Sequence, residues 1–150
     1  MPEKIKVALV GLGNCFSGLI QGIEFYSKNP SQKVTGIIHE NLRDYTIHDI
    51  EFVAGFDVGA NKVGKPINDA IYELPNMVNW IDKNDMPKSN GNVYESPALD
   101  GVGIWVENKV KPIESGKSES EIREEIIKIL KETGVEIIVS YLPVGSEKAT

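Results

Sequence analysis

Hydrophobic residues near the start of the chain form a short run that is typical of a strand covered on both faces. Residues 5–10 read IKVALV, in which Lys6 is the one charged residue. Buried strands of parallel sheets have this continuous, β-branched apolar pattern. The run therefore predicts a first strand inside a parallel sheet.

The next segment changes from a continuous apolar run to a helical spacing. From position 14 to about position 27, apolar residues recur three and four positions apart, at Phe16, Leu19, Ile20, Ile23 and Tyr26. This spacing places them on one face of a helix. We therefore expect a helix that packs this face against the first strand.

The middle of the chain predicts a second strand and a second helix. Residues 33–50 have no helical period and indicate a loop or small hairpin, whereas residues 51–56 (EFVAGF) predict a strand with Asp57 at its carboxyl end. Apolar positions four, four and three residues apart then predict a helix from about position 65 to position 74. They are Val63, Ile67, Ile71 and Leu74. Residues 82–92 and 94–103 are interpreted as loops.

The last third of the chain contains the clearest helix pattern. Ser118 and Glu121 form a capping box, and Gly134 ends the helix. Its apolar face consists of Ile122, Ile126, Ile129 and Leu130. Residues 135–140 (VEIIVS) then predict a further strand of the buried type. A helix followed by a strand again fits a parallel sheet, so we expect one α/β domain over residues 1–150.

The composition and charge of the chain are typical of a soluble globular protein. Hydrophobic residues make up 41% of the chain and charged residues 25%, and the net charge is −6. We expect a soluble, cytoplasmic protein with no nucleic-acid or membrane partner, since there is no signal segment and no apolar run of about 18 residues. The single cysteine excludes an internal disulfide. His39 and His48 lack the spacing of metal ligands, and we predict no metal site.

Two glycines separate the first strand from the first helix. Gly11 can adopt the backbone angles of a tight turn, and Gly13 leaves room for a ligand to approach the backbone. The helix N-terminus behind them presents unpaired N–H groups and a positive dipole, which suit the pyrophosphate of a dinucleotide. The third small residue of a GxGxxG motif is replaced by Phe16. A plain strand-to-helix turn is therefore the alternative interpretation.

Asp57 occupies the strand-end position at which a dinucleotide-binding unit holds the ribose. It follows Gly13 by 44 positions, where the ordinary unit has about 20. Either residues 33–50 are an insertion that accounts for the excess, or Asp57 is a turn residue. A carboxylate at this position favours NAD over NADP, because it would repel a 2′-phosphate. The loop after Ser140 should face the same cofactor, since such sheets bind ligands beyond the carboxyl ends of their strands.

With these pieces located, the sequence resembles the myo-inositol phosphate synthase family, particularly its shorter archaeal and bacterial form. Five blocks in the family's order carry the resemblance and cover nearly the whole chain. They are VALVGLGNC at 7–15, LIQGIEFY at 19–26, FVAGFDVGANKVGK at 52–65, LDGVG at 99–103 and VSYLPVGSEKA at 139–149. The family also has an insertion before the acidic strand end, which accounts for the spacing to Asp57.

The resemblance implies a Rossmann-like dinucleotide-binding fold, with NAD as cofactor and glucose 6-phosphate as substrate. Members of the family oxidise the sugar, enolise it, close it by an intramolecular aldol step and reduce it again. By position, Gly11, Gly13, Asn14 and Cys15 would wrap the pyrophosphate and Asp57 would hold the ribose. The nicotinamide side would be lined by Ser140, Leu142 and Pro143. The family usually has a small residue at the position of Phe16.

Family members are more than twice as long as this chain and form homotetramers. Their catalytic lysines, phosphate-binding residues and tetramer-forming sheet lie beyond the equivalent of Thr150, so the resemblance assigns no catalytic residue here. We expect a parallel sheet that is incomplete at the C-terminus, with an uncovered edge at its last strand. Two alternatives are an NAD-dependent dehydrogenase with another substrate and a non-enzymatic nucleotide-binding module. The block SYLPVGSE and the long insertion favour the synthase.

Overall fold

The protein is built on a four-stranded parallel sheet. The computed structural model describes residues 3–28, 37–102 and 108–149. The strands are β1 (Ile5–Val10), β2 (Ile50–Asp57), β3 (Asn92–Glu95) and β4 (Ile137–Ser140). Their order across the sheet is β3-β2-β1-β4, and each neighbouring pair is parallel. The predicted α/β fold with a parallel sheet is confirmed, and β1 has the predicted bounds.

Helices cover both faces of this sheet. They are α1 (Asn14–Lys28), α2 (Ile67–Ala70) and α3 (Glu119–Thr133). The Ser118–Glu121 capping box is present, and Gly134 ends α3 in the left-handed conformation with φ of 67°. The predictions of α1 and α3 are therefore confirmed. No helix in the described part of the chain has the length and hydropathy that a membrane span requires.

The core has two parts, one on each face of the sheet. The first part packs α1 and α2 on the sheet, and its buried members are Val7, Leu9, Leu12, Phe16, Ile20, Ile67, Ala70, Ile71 and Val93. The second part packs α3 on the opposite face. Its buried members are Ala8, Ala54 and Phe56, with half-buried residues of α3 against them. Alternate residues of β1 therefore serve opposite faces, as the pleat of a strand requires.

Two elements differ from the sequence prediction: β3 was not predicted as a strand, and α2 is shorter than predicted. Residues 92–95, predicted as loop, pair with β2 from Ala54 to Asp57. A four-residue strand has too few positions to produce a recognisable alternation, and Val93 is its one buried residue. The second helix was predicted to reach position 74 but ends at Ala70, so Leu74 is 72% exposed instead of packed.

Strand β4 was predicted to be of the buried type, and this was wrong. Ile137 and Ile138 are 47% and 55% exposed. Among the described residues β4 pairs with β1 alone, so it forms an edge of the sheet. The expectation that the sheet has an uncovered edge at this strand is confirmed. A continuous apolar run reports apolar side chains, but it cannot report whether a neighbour covers them.

The buried face of α1 contains two polar residues that the apolar pattern missed. Ser17 and Gln21 are both fully buried, whereas Leu19, predicted to face the sheet, is 38% exposed. The Gln21 amide donates to Ser17 Oγ at 2.9 Å and to Val78 O at 3.0 Å, and its oxygen accepts from the Trp80 N–H at 2.8 Å. These bonds tie the segment around position 80 to α1. Trp80 is 73% exposed, and Trp105 lies outside the described residues.

The described part of the predicted insertion, residues 37–50, contains little regular structure. Leu42 and Tyr45 form one antiparallel bridge, as a small hairpin would, and a short 3₁₀ helix covers Ile47–Asp49. His48 Nδ1 lies 3.0 Å from Ser27 Oγ on α1, and His39 is exposed. Residues 33–36 of the predicted segment lie outside the described part.

Candidate functional site

The turn between β1 and α1 requires glycine at its first position. Gly11 has φ of +79°, and its N–H donates to Phe56 O at 2.9 Å across the neighbouring strand. A Cβ added at Gly11 would lie 2.7 Å from Leu142 Cδ2. Residues with a side chain rarely adopt such a φ, and real Cβ atoms do not approach so closely. A larger residue at position 11 would therefore be strained by its backbone conformation, and the Leu142 side chain would have to move.

Gly13, at the second glycine position, differs from Gly11. A Cβ added there would meet no atom within 4 Å, and its φ is not in the left-handed region. The helix begins at the next residue, Asn14, and the first N–H groups of a helix have no partner within it. The backbone in front of α1 is thus open, and the N–H groups of the first helical turn and the positive end of the helix dipole lie beside it. This arrangement can hold an anion.

Asp57 lies directly beneath this turn. It is 8% exposed, and its Oδ2 accepts from the Leu12 N–H at 2.8 Å, while its Oδ1 accepts from the Gly59 N–H at 2.8 Å. A carboxylate has about four lone-pair positions, so two remain after these bonds. Asp57 therefore holds the glycine turn to the end of β2 and retains acceptor capacity for a hydroxyl group.

Two further polar side chains beneath the turn were missed by the sequence interpretation. Lys62 is 4% exposed, and its Nζ donates to Leu12 O at 2.7 Å and lies 3.7 Å from Asp57 Oδ2. Asn76 is 7% exposed, and its Nδ2 donates to the same Leu12 oxygen at 2.9 Å. A lysine and an asparagine in polar segments look like solvated surface residues. Only their partners, 50 and 64 positions away, distinguish them.

A cavity opens beside the turn at the carboxyl ends of the strands. Six of the eight residues that the resemblance assigned to a cofactor line it: Gly11, Gly13, Asn14, Asp57, Leu142 and Pro143. The other two, Cys15 and Ser140, are not among its described lining residues. Cys15 is exposed on α1, and Ser140 pairs with Val10 at the end of β4. Lys62, Asn76 and Tyr141 also line the cavity.

Another part of the cavity lining, which includes Gly101 and Ala149, joins two segments that are far apart in the chain. The Asp100 carboxylate accepts from the N–H groups of Lys148 at 3.0 Å and Ala149 at 2.9 Å. These backbone bonds, the one from Lys148 first, hold the pKa of Asp100 below its usual value of 3.8. Ser146 Oγ also lies 3.3 Å from the Asp100 carbonyl oxygen. Asp100 therefore holds the loop after β3 against the residues that follow β4.

Phe16, the large residue at a position that is small in the resembling family, does not face this cavity. It is fully buried in the first part of the core, and its ring centroid lies 4.4 Å from that of Tyr141. The ring therefore packs between α1 and the segment after β4. Its bulk is accommodated by the core and leaves the backbone of the glycine turn open.

Comparison with known proteins agrees with the resemblance. No family model matches the chain. Over 147 residues, 97% of the chain, it is 40% identical to the inositol-3-phosphate synthase of Mycolicibacterium smegmatis. The synthases of Mycobacterium tuberculosis and Corynebacterium glutamicum are also 40% identical. Over nearly its whole length the chain is therefore similar to one portion of the inositol-3-phosphate synthases. It spans 38% of the length of these relatives, so the resemblance concerns one portion of the longer family chains.

Solved structures agree with the family fold. The chain superposes on the crystal structure of Ari2 with a TM-score of 0.76 and 27% identity, over 98% of this chain and 41% of that one. A myo-inositol-1-phosphate synthase-related protein from Thermotoga maritima gives a TM-score of 0.71 at 21% identity, over 93% of this chain and 35% of that one. The parallel sheet with its flanking helices is therefore the arrangement found in synthase-related proteins.

Proposed function

We propose that this chain is the NAD-binding part of an inositol-3-phosphate synthase, the enzyme that converts D-glucose 6-phosphate into 1D-myo-inositol 3-phosphate. The main support is that six residues assigned by the resemblance line one cavity, next to the N-terminus of α1. A second support is 40% identity to named synthases. The open backbone at Gly13 fits a bound dinucleotide, because a ligand can approach the peptide there without displacing a side chain.

In this proposal different residues of the site bind different parts of the dinucleotide. Gly11, Gly13, Asn14 and Cys15 belong to the turn and first helical residues that would bind the pyrophosphate. Asp57 would accept hydrogen bonds from the adenosine ribose and, by its charge, select NAD over NADP. Ser140, Leu142 and Pro143 would line the nicotinamide side. Ser140 stands outside the described lining of the cavity, so its contribution would come from the strand end that supports the wall.

NAD, when bound, supplies the hydride acceptor for oxidation of the sugar and the donor for its later reduction. This chain's part is to bind and orient. Leu142 and Pro143 supply apolar side chains to the lining of the cavity, and Asp57 keeps the glycine turn in place. Enolisation and aldol closure need a positioned proton acceptor and a cationic stabiliser, which the proposal assigns to the rest of a longer chain. The whole enzyme would be a cytoplasmic homotetramer acting on glucose 6-phosphate.

The test compares two glycines of the same helix region. In the natural full-length polypeptide, titration calorimetry measures the binding of NAD and NADP, and a phosphate-product assay measures inositol phosphate formed from glucose 6-phosphate. Gly13→Ala places a methyl group where the pyrophosphate would approach, and we expect NAD affinity to fall at least tenfold. Gly22→Ala adds the same methyl group in open space within α1 and should leave NAD affinity unchanged.

Each outcome distinguishes the alternatives. Binding of NAD with formation of inositol phosphate supports the proposal. If NAD binds but glucose 6-phosphate gives no inositol phosphate, the protein is a dehydrogenase with another substrate or a binding module. If neither dinucleotide binds to the unaltered protein, the assignment of the cavity is wrong.

A further inference from the structure

Lys62 is a charged residue that the fold keeps almost completely out of water. Removing an ammonium group from water is costly unless polar partners replace the lost hydration. Lys62 Nζ has three such neighbours: Leu12 O at 2.7 Å, Asn76 Oδ1 at 3.4 Å and Asp57 Oδ2 at 3.7 Å. All three neighbours belong to the glycine turn or to side chains that bind it.

The peptide groups on either side of Leu12 are thereby fixed by three buried side chains. The Leu12 N–H donates to Asp57, and the Leu12 oxygen accepts from both Lys62 and Asn76. A carbonyl oxygen has two lone pairs, so both are used. The Leu12 side chain is itself fully buried. The Leu12 peptides therefore cannot rotate without breaking several hydrogen bonds in a site of low exposure.

The fixed carbonyl belongs to the peptide bond that enters Gly13. Because a peptide group is planar, its orientation fixes the direction of the Gly13 N–H, from which the backbone continues into α1. Gly13 itself has no side chain to restrain it, and its surroundings are open. The Gly13 N–H donates to Gly11 O at 2.8 Å, and the Gly13 oxygen accepts from the Ser17 N–H at 3.0 Å. The Leu12 oxygen adds a restraint from beneath, through the side chains of Lys62 and Asn76.

We propose that Lys62 and Asn76 are positioning residues for the diphosphate group of the dinucleotide. They act through the Leu12 carbonyl, which they hold so that the backbone at Gly13 and Asn14 faces the anion. Lys62 also lines the cavity and offsets the charge of Asp57, which lowers the repulsion that a buried carboxylate would exert on a diphosphate. This inference rests on the proposed NAD-binding function.

The test separates phosphate-bearing ligands from a ligand without phosphate. In the natural full-length polypeptide, titration calorimetry measures the binding of NAD and ADP, and competition with NAD measures the binding of adenosine. We expect Lys62→Met to raise the Kd of NAD and of ADP at least tenfold and to change that of adenosine less than twofold. The control is Lys65→Met, which removes an exposed lysine paired with Glu73, and it should change none of the three.

A readout without ligand accompanies the binding data. Hydrogen–deuterium exchange of the peptide that covers residues 11–18 should become at least threefold faster in Lys62→Met and stay unchanged in Lys65→Met. If Lys62→Met does not fold, Asn76→Ala decides, because it removes one donor to the same oxygen and keeps the charge. We expect Asn76→Ala to raise the Kd of ADP at least threefold, again with adenosine unaffected.

Three results would count against the inference. Equal loss of ADP and adenosine binding would mean that Lys62 only maintains the fold. Unchanged ADP binding in both variants would mean that the Leu12 carbonyl needs no such restraint. If the unaltered protein binds neither NAD nor ADP, the proposed function fails first and this inference fails with it.

Discussion

The two faces of the sheet are covered to very different degrees. On the face of α1 and α2, nine hydrophobic residues are buried, and six of them have no exposed area: Leu9, Leu12, Phe16, Ile67, Ala70 and Ile71. On the face of α3, three residues are buried, and two of these are the alanines Ala8 and Ala54. Within α3 itself, Ile122 is the one buried residue, and Ile127 is 51% exposed.

The difference in burial between the two faces affects the candidate site, because the glycine turn and the wall after β4 are supported by different parts of the sheet. The glycine turn, Lys62 and Asn76 lie over the well-covered face, through Leu12 and Ile71. The wall formed by residues 141–149 follows β4, the exposed edge strand. The part of the site proposed to bind the pyrophosphate is thus built on the more densely packed region. We expect that part to be the more rigid of the two.

The largest predicted effect is the loss of the Phe16 ring from the well-covered face. Phe16→Ala removes a fully buried aromatic side chain and its contact with Tyr141, and should lower the free energy of unfolding by about 3–5 kcal/mol. Urea unfolding measures this change. Ile129→Ala, on the half-buried face of α3, should cost only about 1–2 kcal/mol, since fewer methylene groups are removed from an apolar environment.

The ratio of the stability losses in Phe16→Ala and Ile129→Ala tests whether the two faces of the sheet differ in energy as they do in burial. If both substitutions cost the same, α3 is held more firmly than its burial indicates, and the contrast between the faces does not describe the energetics. Ile127→Ala is the internal control on α3, because its side chain is exposed and its loss should change the free energy of unfolding by less than about 0.5 kcal/mol.

The next predicted effect compares alanine substitutions at Gly11 and Gly13, the two glycines of the turn before α1. Gly11→Ala forces a side chain into a left-handed conformation, which costs about 1–2 kcal/mol, and pushes its Cβ against Leu142. It should therefore lower the free energy of unfolding and displace the wall after β4. Gly13→Ala meets open space and should cost less, about 1 kcal/mol, because alanine is a poorer residue than glycine at the start of a helix. Unfolding curves of the two variants provide the measurement, and equal losses would contradict the geometry of this turn.

The smallest predicted effect is a pH dependence of stability that arises from Asp100, which binds the segment after the edge strand β4. Its pKa in the folded protein is lowered, chiefly by the Lys148 N–H, so its contribution to stability is present above its unfolded pKa of about 3.9. That contribution disappears as the pH falls through the lower pKa of the folded state. Asp100→Asn should therefore melt below the unaltered protein at pH 6, and the difference should shrink between pH 4 and pH 2.

A matched variant controls for general charge effects on this prediction. Glu147→Gln removes a neighbouring exposed carboxylate that accepts no backbone hydrogen bond among the described residues. Its melting temperature should follow that of the unaltered protein at every pH. A gap for Asp100→Asn that stays constant down to pH 2 would contradict the role of the ionised carboxylate.

Local patterns were sufficient to predict the elements on which the site is built. The apolar run of β1 has its predicted bounds, and α1 begins at Asn14 directly after the glycines. The capping box at Ser118 and the left-handed Gly134 fix the ends of α3. These signals lie within a few residues of one another, because hydrogen-bonded turns and helical faces are local. The order of the elements then indicated a parallel sheet, and the sequence blocks indicated the family.

Other features were decided by contacts between distant parts of the chain. Lys62, Asn76 and Gln21 are polar residues that become buried because they satisfy backbone groups 50 or more positions away. Strand β3 forms because β2 offers it an edge, and β4 is exposed because β1 is its one partner among the described residues. The sequence indicates which side chains are suited to burial and which are suited to cap a turn or a helix. Which of them meet a partner depends on the fold as a whole, since burial and hydrogen bonding across the sheet leave no local pattern.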